Sequence, residues 1–106
     1  MATYEEFRKI ELRVGKIKEV NDHPNADKLY VIIVEMGDKT KQIVAGIKNF
    51  YQKEELVGRE VVIVDNLDPA TIRGVESQGM LLAASDDEGM SIVTLDRQRK
   101  PGSVVK

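Results

Sequence analysis

Leu29-Tyr30-Val31-Ile32-Ile33-Val34-Glu35-Met36 decides the fold class of this 106-residue chain. A run so rich in β-branched side chains, with Asp27-Lys28 before it and Gly37-Asp38 after it, predicts a mostly buried strand. Towards the N-terminus, Leu12, Val14, Ile17 and Val20 interleave with Arg13, Lys16 and Lys18, which predicts another strand. Gly15 interrupts that alternation and predicts a bulge or sharp bend. Towards the C-terminus, residues 42–45 form a shorter strand ending at Gly46, and residues 47–56 suit a surface turn or short helix. Residues 60–64, 79–84 and 90–95 predict three more strands, and Pro101-Gly102 a turn before a short apolar tail, Val104-Val105. The one clear helix opens the chain. Thr3 fits its N-cap, Glu6 stands three residues on as in a capping box, and Phe7 and Ile10 share an apolar face that is expected in the core.

Five to seven short strands with one helix predict an all-β sandwich or barrel, and periodicity alone does not separate the two. Without repeats, low-complexity tracts or a linker, residues 1–106 read as a single domain.

Composition excludes several chemistries. There is no cysteine, so disulfides, thiolate zinc sites and cysteine nucleophiles are ruled out. His23 is the only histidine, and with Asp22 and Asp27 it makes a poor metal set, so no cofactor or metal is expected. Gly74-Val75-Glu76-Ser77-Gln78-Gly79 has the wrong spacing for a nucleophile elbow. No glycine-rich phosphate cradle occurs. A non-catalytic protein is the better reading. No apolar run approaches the ~18 residues of a membrane helix, and Met1 to Glu6 do not resemble a signal peptide, so a cytoplasmic location without membrane contact is expected.

The net charge of −2 argues against a nucleic-acid partner until it is resolved along the chain. Residues 8–18, 39–53 and 97–106 each carry +4, whereas residues 54–88 carry −7. Segregation of this kind permits basic patches, and patches rather than totals attract phosphate. The basic segments must then converge on one face. Aromatic stacking platforms are few, with Tyr30 and Tyr51 as the candidates, so shape and backbone readout of a folded RNA is favoured over stacking along a single strand.

Several longer motifs occur in series: Leu12-Arg13-Val14-Gly15-Lys16-Ile17, His23-Pro24-Asn25-Ala26-Asp27-Lys28-Leu29-Tyr30, Val44-Ala45-Gly46-Ile47, Asn66-Leu67-Asp68-Pro69, and residues 74–84 around Ser77-Gln78-Gly79-Met80. On these the chain resembles the tRNA-binding domain family, which includes the C-terminal domain or separate β subunit of methionyl-tRNA synthetase. The resemblance implies an OB-fold, a five-stranded Greek-key barrel with a short N-terminal helix and a C-terminal strand extension. It implies a homodimer formed through those additions and sequence-tolerant binding to the elbow of tRNA. It also implies assistance to an aminoacyl-tRNA synthetase, methionyl-tRNA synthetase above all, whose catalytic chain is joined in cis or in trans.

The family's S-x-x-M element falls on Ser77 and Met80, which are thereby implied as RNA contacts. Lys28, Asn66 and Arg73 are added as tRNA-binding residues, and Arg13, Lys16, Lys39, Lys41 and Lys48 as electrostatic support. His23 and Pro24 read as structural. The alternative is a related branch, a secretion-chaperone-like dimer that binds peptides on the same barrel. It resembles this chain less in the His-Pro-Asn-Ala-Asp-Lys and Ser-Gln-Gly-Met elements.

Overall fold

The computed structural model describes residues 1–106. In chain order its first half comprises α1 (Tyr4–Arg8), β1 (Leu12–Asp22), β2 (Tyr30–Glu35), β3 (Thr40–Ala45) and α2 (Lys53–Leu56). The second half comprises β4 (Glu60–Val64), β5 (Ala70–Ile72), β6 (Val75–Ser77), β7 (Met80–Leu81), β8 (Ala83–Asp86), β9 (Gly89–Ile92) and β10 (Val104–Val105).

The long β1 is the spine. Its first half pairs with β4 and its second half with β2, all antiparallel, so that Lys16 lies opposite both Glu60 and Glu35. A register shift between Ile17 and Glu19 bends the strand and lets the sheet curl. The five-strand path β3-β2-β1-β4-β7 results, with β10 added at the start of β1. It is a nearly closed antiparallel barrel, an OB-fold. Gly15 is not the bulge that its break in the alternation predicted. It is a point of close approach, where a Cβ would overlap Val34 Cγ1 and stand 3.0 Å from Ile63 Cγ1.

Alternation along these strands places Ile17, Ile32, Val34, Ile43, Val61 and Ile63 inside, and Leu56 of α2 plugs one end, fully buried. The N-terminal helix forms with both hydrogen bonds of its capping box, Glu6 N–H to Thr3 Oγ1 and Thr3 N–H to Glu6 Oε1. Its apolar face is nevertheless uncovered: Phe7 is 48% exposed and belongs to no core. The segment expected as one strand over 79–84 divides into β7 on the barrel and β8, which pairs only with β9 in a separate hairpin. Tyr30 is buried and donates its hydroxyl to the Tyr51 carbonyl, and the Tyr51 hydroxyl accepts from Ile92 N–H. Both rings are therefore fastened into the barrel rather than free to stack.

Candidate nucleic-acid interface

The Ser77-Gln78-Gly79-Met80 segment closes the barrel, and it does so partly with side chains. Gln78 N–H donates to the Gln42 carbonyl at 2.8 Å, and Gln42 N–H donates to Gln78 Oε1 at 2.8 Å. Two residues along β3, Val44 N–H donates to Ser77 Oγ at 3.0 Å, and that hydroxyl donates to the Gly79 carbonyl at 3.1 Å. Ser77 is only 4% exposed, so its hydroxyl substitutes for a missing strand carbonyl and is not presented to solvent. Gly79 is required because a Cβ there would stand 2.9 Å from the Val64 carbonyl oxygen. The segment then turns outward, leaving Met80 48% exposed.

Beside this seam two loops are locked together. His23 is buried, and its ring bridges them: Asn25 N–H donates to Nδ1 at 2.9 Å, which leaves Nε2 to carry the proton and donate to the Ile72 carbonyl at 3.0 Å. Asn25 and Arg73 bond reciprocally, Asn25 Nδ2 to the Arg73 carbonyl at 3.2 Å and Arg73 Nη2 to the Asn25 carbonyl at 3.1 Å. These contacts hold the β1–β2 loop, which carries exposed Lys28, against the β5–β6 hairpin, whose tip carries exposed Arg73. Arg73 and Gly74 both have positive φ, 52° and 89°, the backbone of a two-residue hairpin turn. Tyr30 lies opposite Ala45, and Leu29 Cδ2 comes within 3.6 Å of where a Gly46 Cβ would stand. Leu29, the chain neighbour of Lys28, thus borders a shallow apolar groove of about 340 Å³, lined by Val44, Ala45, Ile47, Leu82, Met90 and the outward Met80.

Four of the five cations expected as electrostatic support are engaged in ion pairs. Asp65, whose side chain is 5% exposed, collects Lys41 at 2.6 Å, Lys39 at 3.3 Å and Arg13 at 3.7 Å. The Lys41 contact to Oδ1 lies off hydrogen-bonding angle, and the same ammonium donates to the Asp65 and Gln78 carbonyls. Burial pushes the Asp65 carboxyl up, but Lys41 and Lys39 outweigh it and hold the group below the usual carboxylate range. Lys48 and Lys53 both lie 3.1 Å from Asp22, and Lys53, then Lys48, depress that carboxyl. All four lysines of residues 39–53 are therefore paired with aspartates from outside the segment. Lys16 faces Glu35 and Glu60 along its strand. Asn66 lies with the Asp65 cluster, where its amide accepts from Glu11 N–H at 2.8 Å and donates to the Lys9 carbonyl at 2.6 Å, fastening the segment after α1.

Residues 12–104 match the family described as "Putative tRNA binding domain". The chain belongs to this tRNA-binding domain family. Among its relatives are methionine–tRNA ligase of Thermococcus kodakarensis, 55% identical over 98% of this chain, and that of Pyrococcus furiosus, 56% identical over the same share. The chain spans only 14% of the length of either. A MetRS-related protein from Pyrococcus horikoshii has a similar structure, with TM-score 0.92 and 33% identity over 100% of this chain and 98% of the other. So does a CsaA chaperone protein from Picrophilus torridus, with TM-score 0.93 and 36% identity over the whole of both chains. No helix is long and apolar enough to cross a membrane.

Within this tRNA-binding domain Met80 lines the groove, and the His23 and Asn25 bonds hold the loop of Lys28 against the hairpin tip of Arg73. The structure gives Ser77 and Asn66 hydrogen bonds inside the protein, and it draws Arg13, Lys39 and Lys41 into an internal ion cluster. Gly46, Leu82 and Met90 also line the groove and are not singled out as site residues by the sequence; only β7 and the β8–β9 hairpin bring Met90 there. Nothing local in the sequence marks it.

Proposed function

We propose that this domain is a non-catalytic module that binds the elbow of tRNA with little sequence preference and assists methionyl-tRNA synthetase. The observation that carries the reading is the exposure of Lys28, Arg73 and Met80 on a domain more than half identical to part of methionine–tRNA ligase. A thioether meets a base edge or face without demanding a particular hydrogen-bond pattern, and two unpaired cations suit phosphates. Ser77 and Asn66 act as positioning residues: Ser77 fixes the turn from which Met80 projects, and Asn66 anchors the loop that follows β4. Arg13, Lys39 and Lys41 contribute a net positive field around Asp65, and Lys48 with Lys53 does so around Asp22. The gain to a synthetase is effective concentration, since a bound module keeps tRNA near the catalytic chain in cis or in trans.

The domain acts as a homodimer in this reading. Tyr4, Phe7, Ile10, Leu12, Val104 and Val105 line an apolar groove of about 360 Å³ made from α1 and β10, a surface that suits a second copy. The protein works in the cytoplasm, where tRNA is charged.

Titration with bulk tRNA at two salt concentrations tests the reading. Affinity should fall steeply with salt as counterions are released from phosphate. Absence of binding at low salt sinks it. The rival is a peptide chaperone, favoured by the likeness to the CsaA structure and by the apolar groove; it predicts salt-insensitive binding of unfolded peptide instead.

A further inference from the structure

Seven of the eight glycines are demanded by the fold. Gly37, Gly58, Gly74, Gly89 and Gly102 have positive φ between 88° and 156°, and Gly15 and Gly79 are packed too closely for a Cβ. Gly46 is the exception. Its φ is not positive, and a Cβ there would make one ordinary contact, 3.6 Å from Leu29 Cδ2. Gly46 lies in the bend just after β3, where neither backbone conformation nor packing requires glycine. Gly46 is exposed and lies in the lining of the apolar groove, between Ala45 and Ile47 and in the same groove as Met80 and Met90. What a side chain at this position obstructs is the groove.

We propose that the groove over Gly46 receives one unstacked nucleobase, whose flat face approaches the bare Gly46 backbone and whose edge packs against Met80. This rests on the tRNA reading above and specifies which part of the RNA enters which part of the protein. A base is the occupant rather than an apolar peptide side chain because of the cations in the segments that adjoin the groove. Lys28 adjoins Leu29, the residue nearest to Gly46; Arg73 is held to the same loop through Asn25; neither forms an ion pair. Lys48, one residue after the lining Ile47, shares Asp22 with Lys53, which leaves a surplus cation; Asp27 is the acid of the loop. Phosphates on either side of an extruded base meet such cations favourably, and an apolar peptide gains nothing from them. The groove volume is near the lower end of small-molecule sites, enough for one ring system and too small for a stacked run.

The test measures tRNA binding at low salt and thermal unfolding for the wild-type protein, Gly46→Ala, Gly46→Val and Met80→Ala. Both Gly46 variants should unfold at the wild-type temperature within about 3 °C. Gly46→Val and Met80→Ala should each raise the dissociation constant on the order of tenfold, as expected for loss of one base contact. Gly46→Ala should fall between Gly46→Val and the wild type. Wild-type affinity in Gly46→Val overturns the base site while leaving tRNA binding intact. Unfolding of both Gly46 variants also overturns it, since the fold then needs this glycine. If Gly46→Val loses binding of an unfolded apolar peptide and keeps tRNA, the groove belongs to peptide. A wild-type protein that binds no tRNA removes the broader reading as well.

Discussion

At Asp65 a single carboxylate organises three cations, and its loss should be felt as stability rather than as binding. Asp65→Asn leaves Lys41, itself largely buried, without its counter-charge, which should cost about 3 kcal/mol in denaturant unfolding. The folded carboxyl titrates below its unfolded value, so its contribution is complete above about pH 4 and is lost as pH falls through the folded pKa. Unfolding measured between pH 6 and pH 2 should show this acid limb in the wild type and a weaker one in Asp65→Asn. Ser77→Ala should also be mainly a stability change, about 1–3 kcal/mol, because it leaves Val44 N–H buried and unpaired. Arg73 has the opposite character. As a non-glycine residue at φ 52° it carries roughly 1–2 kcal/mol of backbone strain that asparagine relieves in part. Arg73→Asn should therefore keep or raise the melting temperature while weakening tRNA binding severalfold at low salt. A fall in melting temperature with unchanged affinity would assign Arg73 to the fold alone.

Among the elements, β2, β3 and β4 were legible because their β-branched runs end at polar or glycine boundaries, and α1 because its capping box is local. The β5–β6 hairpin was not legible. Ala70-Thr71-Ile72 and Val75-Glu76-Ser77 are too short for periodicity, and the turn between them is Arg-Gly rather than Asn-Gly. Lys28, Arg73 and Met80 are site candidates on resemblance alone; the groove depends on β7 and β9 meeting β3, a long-range event that no window of sequence contains. The charge blocks along the chain do not reveal this pairing for the same reason, since Asp65 and Asp22 fold into the lysines of residues 39–53. The His23 bracket is the element-scale device with the clearest consequence. His23→Ala frees the Ile72 carbonyl and Asn25 N–H together and loosens the loop carrying Lys28 from the hairpin carrying Arg73. It should lower stability by about 1–3 kcal/mol and weaken tRNA binding, with loss of amide-exchange protection confined to residues 22–29 and 70–77.

For the whole molecule, the outward apolar face formed by α1 and β10 bears on assembly. A helix of five residues with no buried side chain has little stability of its own, so it needs a covering surface. Phe7→Glu should therefore convert a dimer measured by light scattering into a monomer whose barrel still melts cooperatively. A monomeric wild type would exclude the dimer. The seam along β3 carries a further consequence for the integrity of the molecule in the cell. Two of its bonds depend on the Ser77 hydroxyl and the Gln78 side chain, and Gln78 N–H to the Gln42 carbonyl joins main chain to main chain. Loss of the Ser77 hydroxyl frees Val44 N–H while both Gln42–Gln78 bonds remain, so a local opening of the seam exposes a short stretch of unpaired β edge. Aggregation by edge-to-edge pairing, rather than simple unfolding, is then the expected failure of the Ser77 variant on prolonged storage at high concentration.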